Sequence, residues 1–314
     1  MKRLLPVVIS LLILAALYWK VGTSQLLAVL ATAEPMWLAV GLGMVIPLTL
    51  VTAWRLCLLM PMNDRLNGWE STQLILAASS LNMILPSKMG DIAKAYFMAR
   101  NHGLTQGNCL SLVLYEKTTD MLSLLAWCIF GLLLYPFKGW LFWLMLAAVV
   151  ALFLLCSALL LSHRFTKSLF WVLSYPLPTG IKAKTASLSG KLDELRKQLA
   201  ATPGLATRVA IVSFGIWLMH LLQVWLFILA LRGWVPFLDN LALAPLAILA
   251  GLIPLTFAGV GTRDAAVVLL YGSYLTPAAG AALGLLFTSR YFLPAVMGLP
   301  FVHRYMIALP TSAK

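Results

Sequence analysis

The sequence predicts an all-α polytopic membrane protein with six full transmembrane helices and two re-entrant helical hairpins. Three observations carry this. Of 314 residues, 61% are hydrophobic and only 11% charged, whereas soluble domains carry about a quarter of their residues charged. Six stretches hold the roughly 20 apolar residues that cross a bilayer. Two further apolar stretches are interrupted by Pro, Gly and charge. So little polar surface cannot coat a water-facing globule, which excludes soluble enzymes and nucleic-acid-binding domains. The net charge of +13 then reads as topology, not nucleic-acid affinity.

In chain order, Lys2 and Arg3 precede an apolar run at 4–20 without a clear small-x-small cleavage site, which predicts an uncleaved signal anchor. Further full spans are expected at 36–60, 110–135, 140–162, 209–231 and about 280–302. The first broken segment, 71–100, runs apolar to residue 85, breaks over Pro86, Lys88, Gly90 and Asp91, and resumes to Arg100. The second, 241–276, breaks between Pro254 and Asp264, with Gly259 and Gly261 inside the break. Each arm is too short to cross, although 241–257 can just span if strained.

Charge placement fixes an expected orientation. With the N-terminus cytoplasmic and both hairpins returning to their side of entry, the basic loop 163–208 lies inside with eight Lys and Arg. The outside loops keep only Lys20, Lys138 and Arg232. Both termini are then cytoplasmic. Helical spacing of Leu188, Leu192, Leu195 and Leu199 opposite Lys184, Lys191, Arg196 and Lys197 predicts a basic amphipathic helix over 182–200. It is expected on the anionic leaflet, with partner docking as the other use.

The broken segments resemble each other. Each reads apolar run, Pro, Gly, Asp, small residue, and about 25 positions after each Asp a span carries charge: Glu116 and Lys117, then Arg290. The orientation makes the hairpins dip from opposite faces. Two inverted units result, 1–135 and 140–302, with the hairpin tips near the midplane. Paired Pro/Gly-interrupted segments of this kind point to a transporter site.

Four of the ten acids lie outside the loops: Asp91, Glu116, Asp120 and Asp264. Charges within a bilayer face cavities or one another. Glu116 and Asp120, at i and i+4, share a helix face. For these acids two roles stay open: lining a polar cavity, or a structural role. In the structural role Asp91 and Asp264 cap the second arms, while Glu116 and Asp120 pair with Arg263 or Arg290. Gly259-Val260-Gly261-Thr262-Arg263 can grip a phosphate through backbone N–H groups or serve as a packing turn. Lys88 can join the site or reach the interface, and Arg55 is expected to snorkel there.

The remaining chemistry is sparse. The four cysteines read as buried small hydrophobes. The histidines, His220 among them, show no metal-ligand spacing and are expected in loops or at interfaces. No P-loop occurs. No metal, cofactor or catalytic set is expected, and the chain is not expected to be an enzyme.

Asn82 to Asp91, Tyr115-Glu116-Lys117-Thr118-Thr119-Asp120, and Ile253-Pro254 followed by Gly259 to Ala266 resemble the flippase-like transmembrane family related to the membrane domain of lysylphosphatidylglycerol synthases. The resemblance covers nearly the whole chain. It implies a bacterial or archaeal inner-membrane protein that moves phospholipids, glycolipids or polyprenyl-phosphate-linked sugars between leaflets. Lys117 stands where the family has Arg, and Asp264 where it commonly has Glu; both conserve charge. No aminoacyl-transfer domain is expected after residue 302, so lysyl-lipid synthesis is not expected of this chain. The expected site comprises Lys88, Asp91, Glu116, Asp120, Arg263, Asp264 and Arg290. Lys88, Arg263 and Arg290 would hold the phosphate, and the acids would receive an amine or sugar or carry a proton. The expected partners are a lipid or lipid-linked sugar and, as alternatives to transport by the chain alone, a lipid synthase or glycosyltransferase that it feeds. An enzyme modifying a lipid headgroup is the competing reading.

Overall fold

Every element in the computed structural model is an α-helix among the described residues, which are 5–307 apart from 61–65, 86–88, 102–103, 135–137, 177, 254–255 and 257–258. Five helices are long and apolar enough to cross a bilayer: Pro35–Leu59, Gln106–Leu134, Phe142–Leu161, Leu205–Ala230 and Pro277–His303. These fall on five of the six expected spans. Helix α1 (Leu5–Val21), 17 residues long, coincides with the sixth expected span at 4–20, and a break at Gly22 turns the chain by 82° into α2 (Thr23–Ala31).

The span at 35–59 comprises α3 (Pro35–Gly43) and α4 (Val45–Leu59), and Pro35 opens it where a missing N–H costs nothing. Next come α5 (Gly68–Ile84), α6 (Gly90–Asn101) and α7 (Gln106–Leu134). Asn67 caps α5 by accepting from the Trp69 N–H at 3.2 Å. Helix α8 (Trp140–Leu161) is apolar all round; one side, with Phe142 and Val149, packs on the core beside α7, and few of its residues are fully buried, as suits a helix at the lipid-facing rim.

The 163–208 region is largely helical rather than a loop. It holds α9 (His163–Ser174), capped by Ser162, and α10 (Thr179–Ala201). Leu192, Leu195 and Leu199 are buried, and α10 packs on α7 and α9. This corrects the expectation of an apolar face lying in the leaflet. The same spacing serves protein packing, because both environments need one apolar stripe. Arg196 locks the docking by donating to the Leu159 carbonyl and the Thr166 hydroxyl.

After α11 (Leu205–Ala230) come α12 (Phe237–Leu252), α13 (Thr262–Leu270) and α14 (Pro277–Ile307). Both interrupted segments are thus pairs of helices, and in each the arms pack on each other, α5 on α6 and α12 on α13. The following helix packs on the second arm, α7 on α6 and α14 on α13, and also on the first arm of the other pair, α7 on α12 and α14 on α5. Lipid offers little hydrophobic drive between helices, so close backbone approach must hold them. Gly131 of α7 faces the Ala242 backbone, and Gly298 of α14 faces the Leu76 backbone. A Cβ at either glycine would overlap main-chain atoms.

Two apolar cores result. One surrounds α5 and α6, including Leu74, Ala77, Phe97, Met98 and Leu112. The other surrounds α12 and α13, including Leu124, Ala244, Ile248, Val267 and Leu283. Helix α7 contributes residues 109–115 to the first and 124–132 to the second. Its charged turn, Glu116 to Asp120, lies between them.

Candidate functional site

The polar residues between the two cores enclose a cavity of about 290 Å³, walled by α4, α5, α6, α7, α11, α13, α14 and Val260 of the second break. Of the expected site residues, Asp91, Glu116, Asp120, Arg263 and Arg290 line it. Asp264 stands one residue from Arg263 and turns into the helix start. Lys88, Pro86 and Pro254 lie outside the described residues. Gly90 is the first residue of α6, and Gly259 and Gly261 lie just before α13, with φ of 76° and 98°. Such values favour glycine.

One side of the cavity is a closed ion-pair network. Glu116 is fully buried; its Oε1 accepts from Arg55 Nη2 at 3.0 Å and its Oε2 from Lys94 Nζ at 2.5 Å. Arg55 also pairs with Asp120 and donates to Ser213 Oγ of α11 at 2.9 Å. Lys117 Nζ lies 3.2 Å from Asp91 and 3.8 Å from Asp120. Asn82 of α5 donates to Asp91 at 3.5 Å. Three cations thus face three carboxylates; Arg55, Lys94 and Glu116 are buried, and charge so placed is tolerable only when paired, while Lys117 is partly exposed.

Three expectations are corrected here. Arg55 does not snorkel: it is 1% exposed and central to the network. Glu116 and Asp120 pair with Arg55, Lys94 and Lys117 rather than with Arg263 or Arg290. His220 lines the cavity from within α11 instead of sitting in a loop or at an interface. Arg55 and Lys94 were missed as site residues. Lys94 had one signal, its i+3 position from Asp91 on α6. Arg55 had none, because an Arg near a span's end satisfies itself by reaching water.

The other side is cationic. Asp264 Oδ2 accepts from the Gly261 N–H at 2.8 Å, closing the start of α13, while its Oδ1 accepts from Arg263 Nη2 at 3.2 Å. The capping role therefore exists. Arg263 also donates to Thr288 Oγ1 at 2.6 Å. A Cβ at Gly251 would stand 2.8 Å from Arg263 Cβ, so the bare backbone of α12 makes room for the Arg263 stem. Arg290, 4% exposed, donates to its neighbour Tyr291 at 2.6 Å and has no carboxylate partner among the described residues. Its guanidinium lies 4.7 Å from the Tyr291 ring and 5.1 Å from Phe287, the two rings that Arg263 also approaches. Pro294, also on the wall, withdraws the N–H that would bond the Arg290 carbonyl, loosening α14 at this level.

Helices of spanning length and apolarity around a charge-lined cavity define a polytopic membrane protein. Residues 3–298 match the family model described as the lysylphosphatidylglycerol synthase TM region, and the chain belongs to that family. A UPF0104 membrane protein of the archaeon Methanocaldococcus jannaschii is 24% identical, over 95% of this chain and 93% of that one. Membership ties the chain to lipid-related membrane function.

Proposed function

We propose that the chain is a lipid translocase whose midplane cavity carries a headgroup between leaflets by alternating access, without chemical change. The observation that carries this reading is the charge-lined cavity between two interrupted helix pairs. The arms support their assignment as re-entrant. Helix α6, with 12 residues, and α13, with nine, extend about 18 Å and 14 Å at 1.5 Å per residue, short of a hydrocarbon core of about 30 Å. The reciprocal packing of α7 on α12 and α14 on α5 supports two inverted units, 1–135 and 140–302, that rock about the site. The excess of Lys and Arg in 163–208 supports cytoplasmic termini, and the archaeal relative is in keeping with a prokaryotic inner membrane.

Transport is proposed over catalysis because Asp91, Glu116 and Asp120 are each engaged by a cation, leaving none free as acid or base. The test is headgroup transfer of labelled lipids in reconstituted vesicles. Wild-type protein is expected to accelerate transfer, and Arg263→Ala to reduce it to the protein-free rate while remaining folded. Unchanged lipid structure afterwards fits transport; a chemically altered headgroup would replace this reading with an enzymatic one. No acceleration by purified protein would favour a scaffold serving a lipid synthase or glycosyltransferase.

A further inference from the structure

The two sides of the cavity differ in what they have left to offer. On the acidic side, Asp91, Glu116 and Asp120 are taken up by Arg55, Lys94 and Lys117, so an incoming amine would have to displace a built-in cation. On the basic side, Arg290 is buried with Nε and Nη1 lacking any hydrogen-bond partner among the described residues, and Arg263 Nε is likewise unpartnered. Both guanidiniums approach Phe287 and Tyr291, and among the described residues Asp264 pairs with Arg263 and no carboxylate pairs with Arg290. Two buried cations, only one of them paired with a carboxylate among the described residues, leave the wall with an unmet positive charge.

We infer that the headgroup this cavity takes is net anionic: a phosphate with no compensating positive charge, held by Arg263 and Arg290. Zwitterionic and aminoacylated headgroups are disfavoured. The inference rests on the cavity being the lipid site proposed above. A phosphate supplies several acceptor oxygens to guanidinium donors, in charge-assisted bonds that a dry site strengthens. A headgroup bearing an ammonium would bring a like charge toward Arg290 and find no free carboxylate opposite.

Binding is tested apart from transport. The full chain in detergent is titrated with dihexanoyl-phosphatidylglycerol, dihexanoyl-phosphatidylcholine and inorganic phosphate, following the thermal unfolding midpoint. The anionic lipid is expected to raise the midpoint at concentrations at least tenfold below the zwitterionic one. Arg290→Gln should raise the concentration of anionic lipid required roughly ten- to a hundredfold, as loss of one charge-assisted contact implies, and so narrow or remove its advantage over the zwitterionic lipid. Arg290→Lys, which keeps the charge, should retain part of the preference. If Arg290→Gln does not fold, the wild-type comparison and Arg290→Lys decide. Stabilisation by inorganic phosphate alone, with the same dependence on Arg290, would keep the anionic class and make free phosphate its source. Equal responses to both lipids, or an anionic preference indifferent to Arg290, would overturn the inference. In vesicles, selective binding without movement of labelled phosphatidylglycerol would defeat the transport reading alone. Labelled lysyl-phosphatidylglycerol moving as fast as phosphatidylglycerol, without selective binding, would defeat this inference alone.

Discussion

Glu116 and Arg290 are both buried charges, but they stand in opposite energetic positions. Glu116 holds two cations, so Glu116→Gln leaves Arg55 and Lys94 partly unpaired. Breaking a buried pair from one side costs about 3–5 kcal/mol, and the expected result is a much lower unfolding midpoint in detergent. Arg290 has no carboxylate to release among the described residues. Arg290→Gln should leave the midpoint unchanged or raise it while abolishing lipid transfer, the behaviour of a residue kept for function at the expense of stability. A midpoint lowered as far as in Glu116→Gln would make Arg290 a structural residue. Sequence reading found Asp91, Glu116, Asp120, Arg263 and Arg290 because charge inside an apolar span is anomalous by itself. It missed Arg55 and Lys94 because their partners lie on other helices, 65 and 22 positions away, and such pairing is invisible along the chain.

Interruptions and crossings matter most among the elements. Both breaks were legible, since Pro and Gly beside charge cannot continue an apolar helix. The helix at 182–200 was legible as a helix, but its partner was not, because an apolar stripe reads alike against lipid or against α7. The bend between α1 and α2 falls just past the expected anchor at 4–20, at Gly22 with φ of 85°. The crossings make their own prediction. A methyl at Gly131 would overlap the Ala242 backbone, so Gly131→Ala should cost about 1–3 kcal/mol through forced separation of α7 and α12. Gly190 of α10 has nothing within 4 Å of such a methyl, and Gly190→Ala should stabilise by about 0.5–1 kcal/mol through helix propensity. Thermal unfolding of the two variants side by side checks both signs. Gly251→Ala belongs with them: its Cβ would meet that of Arg263. It should move the guanidinium and slow lipid transfer more than it lowers the midpoint.

In the whole molecule, α7 and α14 each tie one interrupted pair to the other, so the pairs cannot move independently of the cavity they enclose. That coupling is what alternating access needs: a fixed site with walls that rock around it. The most direct test blocks the cavity while leaving its charged residues untouched. Ser79 of α5 lines the wall, and its hydroxyl bonds only its own helix, to the Ile75 carbonyl at 2.9 Å. In a background with the four native cysteines replaced, Ser79→Cys protein is reconstituted with labelled phosphatidylglycerol, and transfer is measured before and after a bulky thiol reagent. Transfer falling to the protein-free rate once labelling is complete is the predicted result. Undiminished transfer by fully labelled, folded protein would contradict passage through this cavity.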